Sequence, residues 1–133
     1  MKIAIASTAL ATIVEHARAD APNEACGILY GDAAIDDAEP AANIATQPER
    51  GFEIDPATLL CAHRTARGQG RAVVGWYHSH PNGSTEPSTT DAARAVEDGK
   101  LWLIAGGEAV TAWQVVPGGP VHGRFAPVAL IAA

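Results

Sequence analysis

The stretch GWYHSHPNGSTEPSTTD, residues 75–91, decides the fold. It starts as the end of an apolar strand, continues through a polar loop, and reaches Ser88, a residue that favours the start of a helix. Because side chains alternate along a strand, His78 and His80 project to the same side. Asp91 then falls in the first turn of the predicted helix. The order strand, loop, helix therefore directs two imidazoles and one carboxylate toward the same place.

The elements on either side of this stretch indicate a single α/β domain over residues 1–133, a mixed β-sheet flanked by helices. Helices are predicted to start at Ser7, Pro56 and Ser88, the last two ending near Gly68 and at Gly99. A second strand after the turn at Gly31-Asp32 stays open as an alternative, but residues 36–40 resemble a loop. Strands are predicted at residues 2–6, 24–30, 71–80, 101–105, 109–116 and 121–128.

Two imidazoles and one carboxylate are a ligand set typical of catalytic zinc, which keeps its fourth position for water. Simpler interpretations exist for each part. Ser88-Thr-Thr-Asp91 is also a capping box, and a His-x-His pair on a strand is weak evidence by itself. The joint pattern favours a metal site formed by His78, His80 and Asp91. Capping and metal binding are compatible, because a helix start would hold Asp91 in one orientation.

Glu24 is the candidate for proton transfer. It opens the predicted strand EACGILY, residues 24–30, which is otherwise apolar. A carboxylate is costly in such surroundings unless it has a partner or a task, and a hydrolase needs a group that takes a proton from water. The alternative is an edge-of-strand residue in contact with water.

These residues together resemble the JAMM (MPN-plus) metalloprotease family. Its pattern is a distant Glu, then His-x-His, seven residues, Ser, two residues and Asp. Here the pattern is met by Glu24, His78, His80, Ser88 and Asp91 without any departure in spacing. The flanking sequences PNEACGILYG and FEIDP add to the resemblance, which covers roughly residues 20–115 and is closest to the short, stand-alone bacterial members.

The resemblance implies a layered α/β architecture like that of cytidine deaminases, and one zinc ion per chain. It implies that Glu24 acts as general base and then general acid, and that Ser88 donates a hydrogen bond to the oxyanion. Asn43, Phe52 and Ile54 would line a substrate groove. The implied reaction is cleavage of an amide bond at the C-terminal Gly-Gly tail of a ubiquitin-like or sulfur-carrier protein. The leaving group, whether cysteine, a peptide or a lysine side chain, stays open.

Composition and charge limit the other classes of function. The formal net charge is −6, and Lys and Arg do not cluster, which disfavours a nucleic-acid partner or a nuclease-linked role. No apolar run approaches the ~20 residues of a membrane span, and no clean signal peptide precedes the domain, so we expect a cytoplasmic protein. The oligomeric state stays open.

Two rival functions accompany the hydrolase. One is a non-catalytic MPN-type interaction module of the same fold, which the intact set of candidate ligands disfavours. The other is a zinc deaminase, but the His-x-Glu and Cys-x-x-Cys motifs of that class do not occur here.

Overall fold

The computed structural model describes residues 1–133 and contains seven strands and three helices. In chain order they are β1 (Lys2–Ile5), α1 (Ser7–Asp20), β2 (Cys26–Gly31), β3 (Ile35–Ala41), α2 (Pro56–Gly68), β4 (Ala72–Ser79), α3 (Thr89–Arg94), β5 (Leu101–Gly106), β6 (Ala109–Gly119) and β7 (Gly123–Ala132).

The seven strands form one mixed sheet that closes on itself in the order β1-β3-β2-β4-β5-β6-β7. Strand β1 runs parallel to both β3 and β7, and β4 runs parallel to β5, while the other neighbours are antiparallel. The predicted α/β class with a mixed sheet is confirmed. The strand pairing gives a closed sheet and does not by itself show the deaminase-like layering.

The N-cap of helix α1 lies one residue earlier than predicted. Ala6 is the N-cap residue, Ser7 lies inside the first turn, and no side chain caps this end. The helix is held instead by its apolar face, where Ala9 and Ile13 are fully buried against the sheet. Tertiary packing, more than capping, therefore fixes this helix.

Helix α2 begins as the sequence predicts. Asp55 is the N-cap, its Oδ1 accepts a hydrogen bond from the amide of Ala57 at 2.9 Å, and Pro56 occupies the first helical position. Ala62 and Ala66 are buried toward the sheet. The outer face of its first two turns, which includes Leu60, is exposed to solvent.

Two local predictions are wrong. Residues 36–40 belong to strand β3, because they pair antiparallel with β2 while most of their charged side chains point into solvent. Pairing with a neighbour outweighs the weak strand preference of Asp, Glu and Pro. Helix α3 ends at Arg94 and does not reach Gly99. Asp98 accepts a hydrogen bond from the amide of Lys100 at 3.0 Å, and such local bonds compete with a helix.

Three apolar clusters surround the sheet. The largest lies under α1 and includes Ile13, Tyr77 and Leu103. The second lies under α2, and the third contains Trp102, Trp113 and Phe125. Strand β4 contributes to the packing on both sides, so its carboxyl end is held firmly where His78 and His80 lie. None of the helices is long and apolar enough to cross a membrane.

Candidate metal centre

The two histidines lie where β4 ends. His78 is the second-last residue of the strand, and His80 follows directly after it. Their exposed fractions are 1% and 6%. The strand places His78 opposite Cys26 of β2 and Ile104 of β5, which are both fully buried. Two imidazoles are thus held in the interior at one end of the sheet.

Asp91 meets these histidines from α3. Its Oδ2 lies 3.1 Å from His78 Nε2 and 3.1 Å from His80 Nε2, and the two nitrogens are 3.2 Å apart. A tetrahedral zinc ion with ligand distances of about 2.0–2.1 Å separates neighbouring ligand atoms by about 3.3 Å. The triangle of nitrogen, nitrogen and oxygen therefore fits the size of a zinc site.

A capping box orients Asp91. The Ser88 amide donates to Asp91 Oδ2 at 2.9 Å, and the Asp91 amide donates to Ser88 Oγ at 3.0 Å. The capping box predicted for Ser88-Thr-Thr-Asp91 is thus present, and it is compatible with a metal-binding role for the same carboxylate. The cap places the carboxylate, and the placed carboxylate faces the histidines.

Contacts behind each imidazole set its orientation. His80 Nδ1 lies 3.2 Å from the Ser84 carbonyl oxygen. A carbonyl only accepts, so Nδ1 carries the hydrogen of this bond and Nε2 presents its lone pair toward His78 and Asp91. His78 is covered by the Phe52 ring, stacked at 4.4 Å between centroids with an interplanar angle of 18°. The edge of Trp102 packs on the same imidazole at 5.8 Å.

Glu24 lies next to this triangle. Its carboxylate is within 4.8 Å of a ring nitrogen of each histidine, and the residue is 6% exposed. Its Oε1 is a buried oxygen without a hydrogen-bond partner. Such an orphaned atom is rare and costly in a folded protein, and functional sites are one place where it occurs. Burial raises the pKa of the Glu24 carboxyl to about 7, against an ordinary value of 4.5.

The pKa values of Asp91, His78 and His80 are shifted by burial and by the hydrogen bonds among these three side chains. Burial acts against the Asp91 charge, but hydrogen bonds from His78 and His80 outweigh it and hold the pKa of Asp91 far below its usual range. Burial lowers the pKa of His78. Burial also acts on His80, but there the Asp91 hydrogen bond outweighs it and raises the pKa. In the metal-free chain Asp91 is thus anionic at neutral pH, whereas the raised pKa of Glu24 lies near neutral pH.

A cavity of about 400 Å³ opens onto this place. It is lined by polar residues and prolines, among them Glu24, His80 and Ser88, with Glu49, Arg50 and Glu86 at its border. The carboxylate, an imidazole and the hydroxyl thus face one solvent-accessible space. A second cavity of about 260 Å³ lies on the other side of His80, between α1 and the start of β6.

The three predicted groove residues have different positions. Asn43 is partly buried, and its amide bonds to backbone groups of residues 24–53. Phe52 covers His78, and Ile54 is 8% exposed in the cluster under α2. The stacking of Phe52 on His78 was not predicted, because no spacing rule links residues so far apart.

Comparison with known proteins shows the family of this chain. Residues 6–116 match the family model for prokaryotic homologs of the JAB domain. The chain belongs to this family, which confirms the family assigned from the sequence.

Three relatives show how the similarity is distributed. The chain is 36% identical to the desampylase of Haloferax volcanii over 77% of its own length and 79% of that protein. It is 31% identical to a probable TtuB-protein conjugate cleaving protease of Thermus thermophilus, over 60% of this chain and 54% of that one. It is 33% identical to the CysO-cysteine peptidase of Mycobacterium bovis, over 69% and 64%.

Solved structures share the fold. A solution structure of a Desulfitobacterium hafniense protein superposes with a TM-score of 0.81 at 26% identity, covering 98% of this chain and 92% of that one. A JAB1/MPN domain protein from Archaeoglobus fulgidus gives a TM-score of 0.63 at 20% identity, covering 99% and 97%. The second likeness concerns the fold alone.

Proposed function

We propose that this chain is a zinc-dependent peptidase or isopeptidase that cleaves an amide bond at the C-terminal Gly-Gly tail of a ubiquitin-like or sulfur-carrier protein. One observation carries the proposal. Three zinc-type ligand atoms from His78, His80 and Asp91 lie 3.1–3.2 Å apart beside an unpartnered, buried Glu24 oxygen. One zinc ion per chain follows from the single triangle.

Asp91 is the third ligand in this proposal, and Glu24 is not a ligand. Asp91 Oδ2 is 3.1 Å from both imidazole nitrogens and is fixed by the Ser88 amide. The Glu24 carboxylate also lies within 4.8 Å of the two ring nitrogens, but its Oε1 has no hydrogen-bond partner. We assign it to proton transfer, because general-base catalysis requires a carboxylate within reach of the attacking water.

The proposed mechanism uses two side chains, Glu24 for proton transfer and Ser88 for stabilisation of the oxyanion. Bound zinc supplies a Lewis acid that makes water nucleophilic near neutral pH and polarises the substrate carbonyl. Glu24 takes the proton of the attacking water and then donates it to the departing amine. Burial raises the pKa of this carboxyl to about 7 in the metal-free chain, and the positive charge of a bound ion would lower it and favour the ionised form that acts as a base.

Ser88 stabilises the developing negative charge on the carbonyl oxygen. Its Oγ accepts from the Asp91 amide, so its own hydroxyl hydrogen stays available to donate into the cavity. One such preorganised donor is worth about 3–4 kcal/mol in the transition state. The same side chain caps α3, so Ser88 serves the helix and the reaction together.

The cavity and the relatives support the substrate. Polar residues and prolines form the cavity wall, which suits an extended backbone without side chains better than a large apolar residue. The names of the relatives concern a TtuB-protein conjugate and a CysO-cysteine adduct. Cleavage of a conjugate is what these names share with our proposal.

We propose in addition that residues 1–133 act as one domain. A non-catalytic interaction module is disfavoured by the intact ligand triangle and by the cost of an unpartnered buried carboxylate that has no task. The cytoplasmic location, the layered comparison with deaminases, and the exclusion of nucleic acid and membrane remain predictions from the sequence.

The test is a cleavage assay on the zinc-loaded chain. The probe is a small sulfur-carrier protein whose C-terminal Gly-Gly is joined to cysteine, and the readout is the mass change on its release. We expect turnover by the native chain, none by Glu24→Gln with zinc still bound, and a loss of about 10²–10³-fold in kcat for Ser88→Ala. Glu15→Gln, an exposed residue of α1, is the matched control. Undiminished cleavage by Glu24→Gln would refute the assignment.

A further inference from the structure

Glu24 is not held by the sheet. It precedes β2, which begins at Cys26, so no strand ladder fixes its backbone. Its amide donates to the Pro48 carbonyl at 2.7 Å, and its own carbonyl accepts from the side-chain amide of Asn43 at 3.0 Å. The position of the proposed proton-transfer group therefore depends on the loop of residues 43–53.

Asn43 is the residue that organises this loop. Its Nδ2 donates to the carbonyls of Glu24 and Gly51, each at 3.0 Å. Its Oδ1 accepts from the amides of Ala45 at 3.0 Å and Glu53 at 3.1 Å. An asparagine side chain offers two donor hydrogens and two acceptor lone pairs, and all four are used here. This side-chain amide therefore has no free donor or acceptor with which to bind a substrate.

A second connection completes the support for Glu24. The Ala25 amide donates to Ser79 Oγ at 2.8 Å, and the Ser79 amide donates to the Ala25 carbonyl at 3.0 Å. Ser79 lies between the two histidines, so residues 24–25 are tied to the metal-binding strand on one side. Asn43 ties them to the loop on the other side. Only the Asn43 link acts on residue 24 itself through a side chain.

We propose that Asn43 is a positioning residue for the reaction, and that it sets the place of the Glu24 carboxylate rather than contacting the substrate. This inference rests on the proposed function, because the group that is positioned is the proposed proton carrier. Phe52 belongs to the same loop but has its own anchor, since Arg94 donates to its carbonyl at 2.7 Å. Loss of Asn43 should therefore displace Glu24 more than it displaces the Phe52 ring that stacks on His78.

Asn43→Asp tests the proposal with the smallest change of shape. The aspartate carboxylate still accepts hydrogen bonds but cannot donate to the carbonyls of Glu24 and Gly51. In the zinc-loaded chain with the carrier–cysteine probe, we expect kcat to fall about 100-fold, since a displacement of about 1 Å costs that much. KM and zinc affinity should change less than about threefold. Asn23→Asp is the matched control, because it adds the same charge beside Glu24 at an exposed side chain that makes no hydrogen bond.

A readout independent of turnover separates this inference from the proposed function. In zinc-loaded Asn43→Asp, amide hydrogen exchange at Glu24, whose amide bonds to Pro48 in the loop, should accelerate about tenfold or more. Exchange at Glu53, whose acceptor is kept, and at Tyr77 in β4 should stay closer to that of the native chain. Asn43→Ser, which keeps a smaller donor, serves if the aspartate variant does not fold. If the native chain cleaves nothing, the exchange data still decide the positioning.

Four results would overturn the positioning role. One is an unchanged kcat in Asn43→Asp. Another is unchanged exchange at Glu24. The third is a loss that appears in KM or zinc affinity, which would mean contact with the substrate or the metal. The fourth is an acceleration of exchange that is equal at all amides, which would mean general destabilisation.

Discussion

Replacing Glu24 by glutamine should stabilise the zinc-free protein by an amount that grows as the pH rises from 4.5 to about 7. The folded chain holds this carboxyl at a pKa of about 7, whereas its ordinary value is 4.5. Below pH 4.5 the group is neutral in both states and has no effect. Between pH 4.5 and pH 7 the unfolded state ionises while the folded state keeps the proton, and above pH 7 the carboxyl is ionised in both states. Stability is therefore lost over the window from pH 4.5 to pH 7.

The magnitude follows from the two pKa values. One pKa unit corresponds to about 1.4 kcal/mol, so the difference between 4.5 and about 7 amounts to about 3 kcal/mol at pH 8. For a chain of this size, that is a shift of about 10 °C in Tm. Glutamine keeps the shape but carries no charge, so Glu24→Gln recovers this amount.

The assay is chemical unfolding in the presence of a chelator, followed by circular dichroism at pH 5 and pH 8. Glu24→Gln should exceed the native chain by about 3 kcal/mol at pH 8 and by much less at pH 5. Glu15→Gln, on the exposed face of α1, should differ little from the native chain at both values. A difference that is equal at the two pH values, or a variant less stable at pH 8, would refute the reasoning.

Further predictions concern the ligands and the sheet. Phe52→Leu removes the stacked ring from His78 and should weaken zinc binding by about 0.5–1.5 kcal/mol in a chelator competition, and an unchanged affinity would show that the stack is only packing. Zinc affinity should fall steadily from pH 8 to pH 6, because the raised pKa of His80 lets protons compete above its ordinary value, and a flat profile would contradict this. Gly27→Ala should destabilise by more than about 3 kcal/mol in thermal unfolding, since its Cβ would overlap a ring and a carbonyl on the neighbouring strands, whereas Gly68→Ala, with open space around it, should be tolerated.

Local patterns were sufficient where neighbours in sequence decide the structure. The start of α2 follows from Asp55 and Pro56, whose capping needs no distant partner. The proximity of His78 and His80 follows from strand alternation, and the capping box that holds Asp91 lies within four residues. A fixed spacing also made the family recognisable. These features depend on few residues and short range, so the sequence is enough to predict them.

Long-range contacts could not be predicted from the sequence. Strand β3 exists because β2 offers it a partner, and its composition alone resembles a loop. The closure of the sheet depends on β1 pairing with both β3 and β7, residues far apart in the chain. Asn43 has ordinary neighbours in sequence, and its task is visible only when Glu24, Gly51 and Glu53 are in place around it.

The central claim is that one divalent ion is held by two imidazoles and the helix-start carboxylate. A crystal structure of the zinc-loaded chain, with data collected at the zinc absorption edge, tests it most directly. We expect a single anomalous peak at about 2.0–2.2 Å from His78 Nε2, His80 Nε2 and Asp91 Oδ2, with the Glu24 carboxylate outside the coordination shell. A zinc ion bound by Glu24 in place of Asp91, or no ion at these three atoms, would contradict the claim.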